Sequence, residues 1–164
     1  MENEMKPDFR AQPELMDLMK VEIMPCFAIY SAANAVTRFY RRTLARLGLT
    51  YPQYLVMMVM WETKGATMKE LGEKLLLDSS TLTPLVKKLE ADGLVTRARN
   101  REDERLLDIS PTEKGMALRA DGCDAAMTMI ESSGETLDGM RELAVRLGRV
   151  RDSLAAAADG HAPA

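Results

Sequence analysis

Apolar residues return at helical three- and four-residue steps through the first third of the chain. Cys26, Ile29, Tyr30, Ala33, Val36, Thr37, Tyr40, Leu44 and Leu47 form one stripe, with Arg38, Arg41, Arg42 and Arg46 between them, until Gly48 stops the helix. Pro25 suits a first-turn position because its missing N–H needs no partner there, so Cys26 falls in the first turn of this helix. Thr50 followed by Gln53 reads as a capping box, with Pro52 in the first turn, and opens a helix through Leu55, Val56, Met58, Val59 and Trp61. A second box, Thr67 to Glu70, opens a short helix that ends near Lys74. Asp78 or Ser79 caps a third that runs to about Ala91, with Leu82, Leu85, Val86 and Leu89 inward and Gly93 just past its end. The last two, joined by Leu75 to Asp78, carry a helix-turn-helix signature.

After Gly93 the period changes. Leu94 to Arg99 and Leu106 to Ile109 read as strands around a polar stretch, Asn100 to Arg105, which predicts a hairpin with a basic tip. Ser110, Pro111 and Glu113 read as a further capped helix start. Two helices follow, broken near Ser132 to Gly134, the last carrying Leu137, Met140, Leu143, Leu147, Val150 and Leu154. The fold class is therefore mainly helical with a small β-hairpin wing. One domain is expected over 1–164: a winged helix-turn-helix at 50–110, helices at 14–49 and 111–158 for dimerisation, and a disordered tail at 159–164.

Composition narrows the function. With 46% hydrophobic and 29% charged residues, 10 Gly and 7 Pro, the chain is globular rather than collagen-like or disordered. Its longest apolar run, Tyr54 to Trp61, is short of a bilayer span, and the early acids give no signal-peptide pattern, so no membrane partner and a cytoplasmic location are expected. Cys26 and Cys123 lie far apart and the single histidine is His161 in the tail, so no metal site, cofactor or nucleophile–His–acid triad is expected. Nor is there a phosphate-cradling GxxxxGK[ST], a GxSxG elbow or an HExxH helix, so the chain is read as no enzyme. Met57, Met58 and Met60, among the 13 methionines, read as fillers of core gaps.

A net charge of −3 argues against a uniformly basic nucleic-acid binder, but not against a local patch. Lys87, Lys88, Arg97, Arg99 and Arg101 outnumber Glu90 and Asp92 between Ser79 and Arg101. Ser79, Ser80, Thr81 and Thr83 crowd the first turn of the second helix of the pair, where short hydroxyls and the helix N-terminus favour phosphates or base edges. In a winged helix that helix enters the major groove of double-stranded DNA while the wing, here with Arg99, Arg101, Asp103 and Arg105, reaches the backbone or minor groove. The first and last helices keep apolar stripes that one small domain does not cover, which points to a homodimer. Its two-fold axis sets recognition helices ~34 Å apart on a palindromic operator.

These residues resemble the MarR family of bacterial winged-helix regulators. The resemblance is carried by Leu71 to Leu75, Asp78 to Pro84, Leu89 to Val95, Asp103 to Arg105 and Ser110 to Gly115, and spans most of the chain. More narrowly, Cys26-Phe27-Ala28-Ile29-Tyr30, Leu47 to Tyr54 and Leu77 to Pro84 resemble the organic-hydroperoxide-sensing, OhrR-type branch, although Ser80 stands where a glycine is more usual. That resemblance implies a homodimeric repressor whose Cys26 is oxidised by organic hydroperoxide, whereupon the dimer releases its operator. It also implies tyrosine partners for the sulfur, matching Tyr40 and Tyr51 with Tyr30 nearby, and suggests that Asp103 orients Arg105.

The residues agree on their own terms. A first-turn cysteine meets the positive end of the helix dipole, which favours the sulfur anion that attacks peroxide. Tyr40 lies fourteen residues after Cys26, roughly 21 Å along one helix, so any contact between them comes from a partner subunit. Cys123 reads either as a resolving thiol or as a core residue of the penultimate helix. Two other functions stay open: a regulator of the same fold controlled by a non-covalent aromatic or lipophilic ligand, and a thiol-dependent peroxidase in which Cys26 turns over.

Overall fold

The computed structural model describes residues 20–100, 103 and 106–160. Arg101, Arg105 and His161 lie outside the described residues, as do the tail positions 161–164. After a single 3-10 turn at Val21–Ile23 come α1 (Pro25–Thr43), a 3-10 extension (Leu44–Leu47), α2 (Tyr51–Thr63), β1 (Ala66–Thr67), α3 (Met68–Leu75) and α4 (Ser79–Ala91). Then follow β2 (Val95–Arg99), β3 (Leu107–Pro111), α5 (Glu113–Ala117), α6 (Arg119–Ser133) and α7 (Leu137–Ala158).

The local signals form as the hydrogen-bond chemistry requires. The Thr50 N–H donates to Gln53 Oε1 at 2.9 Å, closing the box at the head of α2, and the Thr67 N–H donates to Glu70 Oε2 at 2.7 Å at the head of α3. Gly48 adopts a left-handed φ of 67° that ends the 3-10 extension of α1. Pro84 lies within α4 without ending it.

α2 is the centre of the core. It is apolar nearly all round, and Tyr54, Val56, Met57, Val59, Met60 and Trp61 are all buried on it. Leu44, Leu71, Leu82, Val86, Leu89 and Ile109 close around it from α1, α3, α4 and the sheet. Trp61 Nε1–H donates to the Gly115 carbonyl at 2.9 Å and the Tyr54 hydroxyl donates to the Gly122 carbonyl at 2.8 Å, tying α2 to α5 and α6. Met57 and Met60 fill the core as expected, but Met58 points outward and is 43% exposed.

Three details differ from the sequence expectation. The sheet has a third strand: β1, two residues long, pairs antiparallel with β3 (Ala66 opposite Ile109), giving the order β1-β3-β2. Ser110 and Pro111 stay in β3, opposite Thr96 and Val95, and Thr112 is the cap of α5, accepting from the Gly115 N–H at 3.0 Å. The first of the two later helices is itself divided at Leu118 into α5 and α6.

The ends of the chain are unlike its middle. α7 buries none of its residues, leaving Leu143, Leu147, Val150 and Leu154 open, and the start of α1 leaves Phe27, Ile29 and Tyr30 open. An isolated helix carrying such a stripe is marginal in water, so these two apolar surfaces are faces awaiting a partner.

Candidate functional site

The first turn of α4 is organised by Asp78. Its carboxylate accepts from the Ser80 hydroxyl, from the Thr81 N–H at 2.9 Å and from the Thr81 hydroxyl at 3.1 Å. These bonds, the Ser80 hydroxyl foremost, hold the Asp78 carboxyl down to about 2. The Thr83 hydroxyl donates to the Ser79 carbonyl at 2.6 Å. The hydroxyls expected to face DNA are thus brought together on one turn, where those of Ser80 and Thr81 donate to the capping carboxylate of Asp78 and that of Thr83 donates back to the helix backbone. Ser79, Ser80 and Thr81 are exposed and Thr83 is half-buried.

The basic residues of this region divide into two sets. Lys88 Nζ donates to Asp92 Oδ1 at 2.6 Å, and the Arg97 guanidinium forks onto Glu90, with Nε at 2.7 Å from Oε2. Glu90 ties Arg97 of β2 to α4, and the hydrogen bonds from Arg97 in turn lower the Glu90 carboxyl below the ordinary range. Lys87 and Arg99 make no ion pair among the described residues and are exposed. Two acids therefore pair with two of the cations, and among the described residues of this stretch the unpaired positive charge sits on Lys87 and on Arg99 in the wing.

Hydrogen bonds close the wing on itself. Asn100 Nδ2 donates to both Asp108 carboxylate oxygens at 3.0 Å, the Asp103 N–H donates to Asn100 Oδ1 at 3.0 Å, and the Asn100 N–H donates to the Leu106 carbonyl at 3.0 Å. These bonds tie residues 100, 103, 106 and 108 to one another, where the sequence pattern shows only a polar stretch.

Cys26 occupies the second position of α1, exposed, beside the open apolar side chains Phe27 and Ile29 and the 65% exposed Tyr30. Tyr40, by contrast, is buried near the other end of α1, stacked on Tyr51 with ring centroids 4.7 Å apart and planes 11° apart. Within one chain the structure pairs Tyr40 with Tyr51 and leaves Cys26 and Tyr30 at the opposite end of the helix. A third phenol, Tyr54, lies 5.3 Å from Tyr40; sequence reasoning missed it, although its place three residues after Tyr51 on one helix carried the signal. Burial pushes all three phenols up, with Cys123 adding to the shift at Tyr54, so each stays a neutral hydroxyl and a hydrogen-bond donor at neutral pH.

Cys123 is a free, exposed thiol and not a core residue. It lines a cavity of about 280 Å³ between α2 and α6 with Tyr54, Met58, Trp61, Glu62 and Arg119. Among the described residues no cluster of His, Cys, Asp and Glu is arranged to hold a metal, and no helix is long and apolar enough to cross a membrane.

A helix-turn-helix, a two-stranded wing reinforced by a third strand and two open apolar helices define a winged-helix regulator. The family profile described as transcriptional regulator SarA/Rot matches residues 38–121. The HTH-type transcriptional regulator TtmR of Methylorubrum extorquens is 48% identical over 142 residues, covering 87% of this chain and 73% of that protein. The organic hydroperoxide resistance transcriptional regulator of Bacillus subtilis is 39% identical over 138 residues, covering 84% of this chain and 94% of that protein. Among solved structures, AbfR of Staphylococcus epidermidis superimposes with a TM-score of 0.69 at 31% identity, covering 88% of this chain and 96% of that one. AbfR is also known in reduced and overoxidised forms bound to DNA and in a disulfide form. The chain belongs to this SarA/Rot, MarR-like family of winged-helix transcriptional regulators.

Proposed function

We propose that this regulator is a homodimeric repressor that binds a palindromic operator and releases it when organic hydroperoxide oxidises Cys26. The observation that carries the reading is the placement of Cys26: exposed in the first turn of α1, in the middle of the open apolar surface that a partner would cover. The likeness to a Bacillus subtilis regulator of organic hydroperoxide resistance and to the DNA-bound AbfR supports it.

The chemistry needs nothing beyond this chain and the peroxide. The Cys26 sulfur attacks one oxygen of the O–O bond, the bond breaks, and the alcohol leaves with a proton; sulfur loses two electrons and becomes a sulfenic acid. A second thiol then attacks that sulfur, water leaves and a disulfide forms. Phenol groups that stay protonated are suitable donors to the sulfur anion, and Tyr40 and Tyr51 reach it only from the partner. The same holds for Cys123. It adjoins Tyr54, which packs on Tyr40 at the far end of α1, so a bridge to Cys26 would join two subunits rather than close within one. Because overoxidised AbfR is found on DNA, release is assigned here to the sulfenic acid or its disulfide and not to a more oxidised sulfur.

The test is fluorescence anisotropy on a palindromic duplex from the gene's own upstream region, titrated with cumene hydroperoxide and followed by mass spectrometry of Cys26. Cys26→Ser is expected to bind the duplex and ignore the oxidant; release by that variant would remove Cys26 as the sensor. A second reading, control by a non-covalent ligand, is favoured by the cleft of about 840 Å³ between α3, α4 and the base of the wing, lined by Met68, Lys69, Leu77, Leu82 and Leu107. Release with Cys26 unmodified would select it. Steady consumption of peroxide by the DNA-free protein with a thiol reductant would select the peroxidase.

A further inference from the structure

Between Glu22 and Glu62 the chain has no acid and four arginines, Arg38, Arg41, Arg42 and Arg46, in a protein whose net charge is −3. All four are exposed, and none makes an ion pair among the described residues. Val36, Tyr40 and Leu44 turn the opposite face of the same helix into the core, so the guanidinium groups stand together on the outer side of α1. Arg38, Arg41 and Arg42 line a trough of about 430 Å³ with Phe39 and Thr43. The DNA-reading elements described above use none of this surface. The 3-10 extension of α1 adjoins the C-terminal end of α4, where Leu47 and Gly48 share a cavity with Lys88 and Asp92. The stripe is therefore displaced from the Ser79 end by about the length of α4, roughly 18 Å.

We propose that the Arg38–Arg41–Arg42 face is a second, sequence-independent DNA surface that holds the phosphate backbone of another duplex while the winged helix holds its operator. The chemistry selects this occupant. Three guanidinium forks within about 6 Å of helix axis match a dense row of phosphates, to which arginine bonds in bidentate fashion. A protein partner would need an apolar or aromatic centre to its interface, and no large apolar side chain is exposed between Tyr30 and Met58. The inference rests on the DNA-binding reading above but has a separate readout.

The experiment is two-colour co-sedimentation of the full-length dimer at about 50 mM salt, with the operator duplex in one colour and a scrambled duplex in the other. Wild type is expected to carry both. Arg38→Gln/Arg41→Gln/Arg42→Gln, checked for an unchanged thermal melt, is expected to keep the operator within threefold and lose the scrambled duplex by at least tenfold. Its salt slope for scrambled DNA should fall by about 0.9 for each phosphate the variant no longer neutralises. The matching triple lysine variant, which keeps the charge, restores capture. A wild-type complex that carries operator alone, or a glutamine variant that still captures the second duplex, overturns the proposal. Arginine-dependent capture of scrambled DNA without operator binding would sink the operator reading and leave the stripe standing. Capture of neither colour overturns both.

Discussion

Gly115 is where the wing is joined to the helices that follow it, and replacing it by alanine is the sharpest mechanical test of the fold. A Cβ on Gly115 would stand 2.1 Å from the Leu94 carbonyl oxygen and 3.2 Å from Met57 Cε. The methionine can turn aside, but the carbonyl is backbone and already accepts the Thr112 N–H at 3.0 Å. Retreat of α5 by about 1 Å would stretch that bond and the Trp61 Nε1–H bond to the Gly115 carbonyl at 2.9 Å. Overpacking of this kind costs about 1–3 kcal/mol, and a weakened buried hydrogen bond adds about 1 kcal/mol. For a chain of this size a loss of about 3 kcal/mol lowers Tm by roughly 6–12 °C. Circular dichroism melts of wild type and Gly115→Ala at one dimer concentration measure it, with Trp61 fluorescence reporting the local change. A variant melting within about 2 °C of wild type, well under that range, would show that α5 does not press on the Leu94 backbone, and the wing would then be anchored in some other way.

Two further outcomes follow from the α3–α4 corner. Leu76 ends α3 with a left-handed φ of 55° and is 65% exposed, so Leu76→Asn should melt at or above the wild-type temperature while the β-branched Leu76→Ile melts several degrees lower; the reverse order in paired melts would deny the strain. The Asp78 carboxyl is held down to about 2, below its unfolded value near 4, so its stabilisation of α4 is present above pH 4 and is lost as pH falls from 4 towards 2. Urea titrations should show wild type and Asp78→Asn converging over that window, and a constant difference would mean that the carboxylate charge contributes nothing.

Much of this molecule was legible without coordinates because its signals are local. A capping box is a bond between residues three apart and a left-handed stop is one residue's φ; each forms from spacing alone. The same locality showed that Cys26 and Tyr40 cannot meet along one helix. β1 escaped notice because two residues carry no period, and the break at Leu118 because one non-capping residue between two helical runs looks like continuous helix.

The sequence by itself thus determined the order of the elements, the reading helix with its hydroxyl-rich first turn, and the family it resembles. Only the tertiary structure decided which side chains meet across elements. It set Glu90 of α4 on Arg97 of β2 and so paired off one of the cations that make the stretch from Ser79 to Arg101 basic. It stacked Tyr40 on Tyr51, set Tyr54 tilted against Tyr40, and turned Cys123 outward beside Arg119. Among the described residues it also left Arg38, Arg41 and Arg42 of α1 without an ion pair. The physical reason is that backbone geometry and capping act within a turn or two of chain, whereas burial, ion pairing and ring stacking depend on distances that only the packed core sets.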